Sequence, residues 1–241
     1  MTAQPKPRLA ATVILLRPAE LKGFEVFLTR RPEGMAFLGG IYCFPGGTVR
    51  EEDRSAAMLR RCYGLTPGEA RKIIGAHFAP NEALGLWVAV LRELFEEVGI
   101  LLVVNENGEC WVPEKSHPSK LAQKHAALLQ KSLSFQALLE NDGLLCDAGS
   151  LAYFSYWQTP SQFSMRFDTR FFLAALPADQ SPLPTSPEVA HSLWLTPDRA
   201  LQLFSKDELP MIFPTFASLR TLADFETLES VFREFRIGKI A

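Results

Sequence analysis

The 241-residue sequence is poor in cysteine and in long apolar runs. Its four cysteines are widely spaced and form no Cys-x-x-Cys pair, which argues against a zinc ribbon or a secreted disulfide framework. The longest apolar run, near Val98–Val104, is far too short to cross a bilayer. Residues Met1 to Arg8 are polar, contain two prolines and form no apolar signal core. We therefore expect a soluble, cytoplasmic protein with no membrane partner.

The sequence also has little net charge, and it contains neither a repeat nor a low-complexity tract. The formal net charge is −2 and the pI is about 6.1, so the chain lacks the electrostatic footprint of a nonspecific nucleic-acid-binding protein. Apolar residues make up 47% and charged residues 22%, an ordinary globular mixture that excludes disorder. We expect a small-molecule partner and no nucleic acid. The pattern does not indicate an oligomeric state.

Strand and helix patterns predict one α+β domain over residues 1–241, with no linker dividing it. Strand patterns occur at residues 9–16, 24–29, 167–176 and 191–195. Helical spacing of apolar residues occurs at 121–129, 135–139, 198–204, 214–222 and 228–235. The longest helix is predicted from about Glu82 to Val98, with Gly99 as its terminating glycine.

The end of this long helix carries three clustered carboxylates. A core face is predicted from apolar residues at helical spacing: Trp87, Leu91, Leu94 and Val98. Glu93 and Glu97 lie one turn apart with Glu96 beside them, so the three charges repel one another. A hard divalent cation would turn that repulsion into binding, because Mg²⁺ and Mn²⁺ prefer carboxylate oxygen. Taken alone, the cluster is more typical of an acidic surface patch on an amphipathic helix, because most charge clusters are simply solvated.

The residues around the cluster resemble the Nudix box. That pattern is G-x5-E-x7-R-E-U-x-E-E-x-G-U, with U an aliphatic residue, and Arg92 to Ile100 match every fixed position of its second half. Phe-Pro-Gly-Gly at 44–47 stands upstream. The resemblance implies the Nudix αβα sandwich, a mixed sheet between helices, enlarged here by helical insertions. It also implies hydrolysis, with Mg²⁺ or Mn²⁺, of a nucleoside diphosphate linked to another moiety.

The sequence departs from the Nudix pattern in two ways. Counting from Gly47, the consensus glutamate position holds Asp53, which is one methylene shorter. Residues 54–91 then separate Asp53 from Arg92, 38 residues where the pattern has 7, so 31 extra residues lie inside the box. Loop-closure entropy grows only slowly with length, so such an insertion can still close. Asp53 is expected to pair with Arg92, with Glu51 or Glu52 as substitutes, and a second helical insertion is expected at about 105–150.

A split box of this kind recurs in the acyl-coenzyme A diphosphatase branch of the Nudix hydrolases. Further segments similar to that branch are Trp157–Pro160, Arg166–Phe172, Glu188, Trp194–Pro197 and Pro214-Thr215. The resemblance implies hydrolysis of coenzyme A or an acyl-coenzyme A to 3′,5′-ADP and (acyl-)4′-phosphopantetheine. A Nudix pyrophosphatase acting on NADH, ADP-ribose or dinucleoside polyphosphates is an alternative. A non-catalytic nucleotide-binding Nudix module is another, although retention of all three glutamates weighs against it.

The resemblance also implies roles for individual residues. The implied metal ligands are carboxylates of the long helix and one backbone carbonyl: Glu93, Glu96, Glu97 and Gly47. Glu93 is implied as either a ligand or the general base. Glu188 is a second candidate base or ligand, or simply an exposed loop glutamate. Arg92 is expected to brace the catalytic loop through a carboxylate, a task that suits bidentate guanidinium geometry.

Three arginines are the predicted substrate-binding residues. Coenzyme A carries a diphosphate and a 3′-phosphate, which need cations. Arg31 follows a strand and matches a related coenzyme A motif, from which Pro32 and Ala36 depart. Arg166 and Arg170 are four residues apart, so on a strand they would face the same side. Simple solvent exposure is the alternative for each arginine.

Overall fold

The computed structural model describes residues 6–112, 118–183 and 186–236. The strands in these ranges are β1 (Arg8–Pro18), β2 (Phe24–Arg30), β3 (Tyr42–Cys43), β4 (Gly46–Thr48), β5 (Cys62–Tyr63), β6 (Val103–Asn105), β7 (Leu144–Asp147), β8 (Ala152–Gln158), β9 (Phe167–Ala175) and β10 (His191–Leu195). The α-helices are α1 (Ala56–Leu59), α2 (Pro67–Ile74), α3 (Pro80–Val98), α4 (Pro118–Leu129), α5 (Phe135–Asn141), α6 (Pro197–Phe204), α7 (Phe213–Leu222) and α8 (Leu228–Phe235). No helix in the described ranges is long and apolar enough to cross a membrane.

The larger sheet is mixed and has β1 at its centre. Its strand order is β10-β2-β1-β9-β8, with β3 beside β2 and β4 beside β1. β1 and β9 run parallel, with Ala11 opposite Arg170, and the other pairs are antiparallel. Residues 13–16 of β1 are fully buried, as the continuous apolar run Val-Ile-Leu-Leu requires of a strand covered on both faces.

Helices cover both faces of this sheet. On one face, α3 packs through Trp87 and Leu94 against side chains such as Val13 of β1. On the other face, α6, α7 and α8 form a second core that includes Ile14 and Leu219. Alternate residues of β1 therefore belong to different cores, as the twofold period of a strand demands. The α+β class and the αβα arrangement predicted from the sequence are confirmed.

The long helix α3 is defined by signals at both of its ends. Pro80 occupies the first turn, where its missing N–H costs nothing, and the Glu82 carboxylate accepts a hydrogen bond from the Ala79 N–H at 3.1 Å. Gly99 ends the helix in the left-handed conformation with φ of 73°, and its N–H donates to the Phe95 carbonyl. The helix predicted at 82–98 is confirmed and begins two residues earlier.

The two inserted segments meet in a second sheet. The first supplies α1, β5, α2 and the N-terminal half of α3, and the second supplies β6, α4, α5 and β7. β5 pairs in parallel with β7, which pairs antiparallel with β6. Segments distant in sequence therefore join into one structural layer. Buried residues of that layer, such as Val103 and Leu144, belong to the same apolar core as α3.

Candidate active site

The acidic cluster lies on the C-terminal half of α3 and is buried. Glu93 is 7% exposed and Glu97 is 6% exposed, while Glu96 is partly accessible. An exposed acidic patch, the alternative interpretation of the sequence, is therefore wrong for Glu93 and Glu97. The reason is that the large sheet, α2 and α4 all pack on α3, so that 15 of its 19 residues are buried. Three neighbouring carboxylates withdrawn from water need compensating positive charge.

The glycine loop brings its backbone directly against this cluster. β4, which contains Gly46 and Gly47, pairs with β1 and packs on α3. A Cβ atom placed on Gly47 would lie 2.5 Å from Oε1 of Glu93, closer than any real contact. A side chain at this position would push the Glu93 carboxylate aside, so glycine allows the main chain to approach it this closely. Gly47 thus lies beside the glutamates, as expected of a residue that shares a site with them.

Arg92 is the central counter-ion of the site. Its Nε and Nη2 donate to the two oxygens of Asp53 at 2.8 and 3.0 Å, although 39 residues separate the two positions. It also donates to Glu93 at 2.7 Å, to Glu96 at 2.8 Å and to the Thr48 carbonyl at 3.0 Å. Burial acts to lower the pKa of Arg92, but these carboxylates raise it above its ordinary value. Arg92 therefore ties the glycine loop to the helix.

Asp53 is the carboxylate that pairs with Arg92 across the insertion. It is buried in a short 3₁₀ turn over Glu52–Arg54, and Oδ2 also accepts a hydrogen bond from the Arg50 N–H at 2.8 Å. Glu51 instead pairs with Arg54 at the surface, and Glu52 is exposed. Asp53, although one methylene shorter than the consensus glutamate, thus still reaches Arg92 with both carboxylate oxygens.

Glu97 is compensated less completely than its neighbours. The Gly46 backbone acts to lower its pKa, but no ion pair reaches the carboxylate within the described residues. Burial raises the pKa of Glu97 well above its ordinary value, the charges of Glu93 and Glu188 add to the rise, and Arg31 opposes it. Burial likewise raises the pKa of Glu93, with Arg92 opposing the rise. Glu188 and Arg31 therefore lie close enough to Glu97 to act on it electrostatically.

All three predicted substrate-binding arginines have contacts within the fold. The Arg31 Nε donates to the Phe37 carbonyl at 3.2 Å. Arg166 precedes β9, and its Nε donates to the Thr159 carbonyl at 3.1 Å. Arg170 is buried, pairs with Asp168 and stacks on the Tyr156 ring at 3.9 Å from its centroid. Arg166 lies one residue before β9, so the same-side arrangement expected from their spacing on a strand stays a prediction. Of the three arginines, the structure brings Arg31 toward the acidic cluster.

Two residues at the site were missed by sequence reasoning. Arg50, from the glycine loop, donates through both Nη atoms to the two oxygens of Glu96 at 2.8 and 2.7 Å. His125, from α4, lies with Nε2 2.9 Å from the Glu96 carbonyl and packs edge-on against Phe95. That carbonyl is in the last turn of α3, where the helix offers it no internal partner. Neither residue occupies a position of the Nudix pattern, so only the fold reveals them.

The donor set suits a hard divalent cation. It consists of oxygen atoms alone, from buried glutamates and a main chain held against them, and Glu97 lacks a full counter-charge. Within the described residues no three acidic, histidine or cysteine side chains converge as a ready-made metal cage. The Arg50 and Arg92 guanidiniums lie against Glu93 and Glu96 and draw their oxygens into ion pairs.

The αβα sandwich and the glycine loop paired to a carboxylate helix define the Nudix fold. The chain belongs to the family described as NUDT19 Nudix domain, whose family model matches residues 7–222. Human acyl-coenzyme A diphosphatase NUDT19 is 28% identical to this chain over 250 residues, which cover 92% of this chain and 66% of that protein. The Gallus gallus protein of the same name is 27% identical over 86% of this chain and 63% of its own length.

A solved structure agrees with this assignment. A NUDIX hydrolase from Alicyclobacillus acidocaldarius has 30% sequence identity and a TM-score of 0.77, over 96% of this chain and 97% of that one. The chain spans somewhat less than two thirds of the length of the curated relatives it matches. The α+β sandwich is thus shared with a solved NUDIX hydrolase.

Proposed function

We propose that this chain is a divalent-metal-dependent pyrophosphohydrolase. The observation that carries the proposal is the burial of Glu93 and Glu97 against the Gly47 backbone, beside a loop closed by Asp53 and Arg92. The residues proposed to hold the cation are Glu93, Glu96, Glu97 and the carbonyl of Gly47. When bound there, Mg²⁺ or Mn²⁺ would neutralise charge on the phosphate oxygens and acidify an attacking water.

The side chains around the proposed cation site have different proposed roles in the reaction. Arg92 fixes the distance between loop and helix and does not itself contact the substrate. Glu93 and Glu188 are the two proposed general bases, because both act electrostatically on Glu97 and so lie near it. Arg31 is the proposed phosphate-binding cation. Arg166 and Arg170 would first have to give up their contacts in the fold to serve a more distant phosphate.

The proposed substrate is coenzyme A or an acyl-coenzyme A. Water would add across the diphosphate linkage, giving 3′,5′-ADP and (acyl-)4′-phosphopantetheine. The name of the curated relatives, acyl-coenzyme A diphosphatase, supports this choice. The box residues support only the cleavage of a diphosphate. We further propose that the chain acts as one domain, since both inserted segments pack around α3.

Product analysis by mass spectrometry tests both levels of the proposal. The purified chain is incubated with Mg²⁺ or Mn²⁺ and coenzyme A, acetyl- and long-chain acyl-coenzyme A, 3′-dephospho-coenzyme A, NADH, ADP-ribose and diadenosine polyphosphates. We expect 3′,5′-ADP from the coenzyme A compounds to form faster than AMP from the others, and chelation to stop both. Faster formation of AMP would overturn the substrate proposal and leave the diphosphatase chemistry intact. Turnover that survives chelation would overturn the metal dependence.

A further inference from the structure

Arg50 occupies the position around Glu96 that a cation would take. Its two Nη atoms lie 2.8 and 2.7 Å from the two Glu96 oxygens, and Nη2 lies 4.0 Å from Oε1 of Glu93. Arg92 donates a third hydrogen bond to Glu96. Three of the roughly four lone-pair sites of this carboxylate are therefore in use. A divalent ion cannot gain full access to Glu96 while Arg50 stays in place.

The two arginines differ in how firmly they are held. Arg92 is buried and is fixed by Asp53 and the Thr48 carbonyl as well as by the glutamates. The Arg50 side chain is 47% exposed, and Asp53 holds only its backbone N–H. Withdrawing the Arg50 side chain therefore breaks the pair with Glu96 and leaves the loop anchored. Withdrawing the Arg92 side chain would instead break the contacts that join the glycine loop to α3.

Space for the displaced side chain lies next to it. A cleft of about 430 Å³ separates the box from α4 and α5. Arg50, Arg92 and Glu96 line one wall of this cleft, and the other wall includes Leu128, Lys131, Ser134 and Phe135. A rotated Arg50 side chain would thus lie in a partly open cleft, with its apolar stem along the apolar wall and its charge toward water.

We propose that Arg50 and the divalent cation compete for Glu96. This inference rests on the proposed function, which places the cation at the same glutamates. Arg50 is then a positioning residue: it stabilises Glu96 in the absence of the cation and turns into the cleft when the cation binds. Removing its charge strengthens cation binding. A purely structural Arg50 predicts the opposite sign, because a loosened Glu96 would bind the cation more weakly.

The test is a Mn²⁺ titration of the full chain without substrate, by calorimetry or by the electron paramagnetic resonance of free Mn²⁺. Arg50→Gln is compared with the wild type and with Lys131→Gln, which removes a positive charge from the same cleft without touching Glu96. We expect Arg50→Gln to lower Kd about fivefold, equivalent to ~1 kcal/mol, and Lys131→Gln to change it less than about twofold. An unchanged or higher Kd in Arg50→Gln overturns the proposal, and so does an equal effect of both variants.

Two further variants separate this inference from the proposed function. Arg50→Lys keeps the charge without the bidentate geometry, so its Kd should fall between those of wild type and Arg50→Gln. Glu97→Gln should bind Mn²⁺ more weakly than the wild type. If it binds equally well, the proposed metal site itself is wrong. If Glu97→Gln binds more weakly but Arg50→Gln does not bind more tightly, only the competition is wrong. A thermal melt of each variant in chelator confirms that the protein titrated is folded.

Discussion

The two halves of α3 are both buried, but by different means. Residues 80–91 contain one ionisable side chain, Glu82, and pack through apolar groups against α2 and the large sheet. Residues 92–98 keep an apolar face but also contain four charged side chains, three of which form ion pairs. The apolar half needs no counter-charge, whereas the charged half leaves the Glu97 carboxyl group without an ion-pair partner among the described residues. The first half therefore holds the helix in place, and the second half carries the chemistry.

Asp53→Asn is expected to have the largest effect, because it removes the counter-ion of buried Arg92. Removing one partner of a buried ion pair typically costs about 3–5 kcal/mol of stability, because the other charge stays buried without a partner. Both the free energy of unfolding and turnover should fall, since the loop no longer closes on the helix. Chemical denaturation and steady-state kinetics measure the two losses. The exposed neighbour variant Glu52→Gln is the control and should change stability by less than about 0.5 kcal/mol.

Trp87→Ala tests the apolar half of α3 and should affect stability alone. Trp87 is fully buried and contacts Phe172 of the sheet. Its truncation should lower the free energy of unfolding by about 3–5 kcal/mol. The kcat of the protein that remains folded should stay within about twofold of wild type, because no ion pair of the site is touched. A loss of kcat as large as that of Asp53→Asn would contradict the view that residues 80–91 support the fold and only residues 92–98 serve catalysis.

Glu97→Gln tests the charged half, and it should lower activity and leave stability unchanged, the reverse of Trp87→Ala. Activity should fall about 10²- to 10³-fold, as it does when a single electrostatic group is removed from a catalytic site. Stability should not fall, because a neutral amide replaces a carboxylate that burial disfavours. Kinetics and thermal melting on the same preparation check this pair of outcomes. Glu106→Gln, a surface change in the second insertion, should alter neither. A melting temperature well below that of wild type would contradict the account of Glu97.

His125→Phe is expected to have the smallest effect. The new ring can keep the packing on Phe95 but loses the hydrogen bond to the Glu96 carbonyl, which is worth about 1 kcal/mol. The free energy of unfolding should fall by about that amount, with a modest loss of Mn²⁺ affinity. Denaturant titration is the measurement. No change in either quantity would show that α4 does not support the end of α3.

The sequence predicts the charged half of α3 better than it predicts the surroundings of that half. The spacing of Glu93, Glu96 and Glu97 and the terminating Gly99 are local features, and the helix lies where they indicate. β8 was missed, because its half-buried aromatic residues do not alternate cleanly with polar ones. Expectations for buried strands such as β1 and β9 are confirmed, since continuous apolar runs identify them.

Contacts across the insertions depend on the fold and not on any local pattern. The pairing of Asp53 with Arg92 was expected from the resemblance, but its two-point geometry becomes visible only in the structure. Arg50 and His125 contact Glu96 from segments 46 and 29 residues away, and neither has a neighbouring residue that marks its role. Burial of the acidic cluster was likewise not predictable, because it results from the packing of β4, the 3₁₀ turn at Glu52–Arg54 and α4 on this half of the helix.

The parallel pairing of β1 with β9 has a consequence for synthesis of the chain on the ribosome. β1 leaves the exit tunnel well before β9, which starts at Phe167. Until β9 emerges, the strand that supports Gly46 and Gly47 keeps the backbone N–H and C=O groups of one edge unpaired, between strongly apolar side chains. Such an edge is a template for pairing with other nascent chains, and late long-range closure slows folding. Fragments that stop before Phe167 are therefore expected to aggregate, and they would retain the box residues without a completed central sheet.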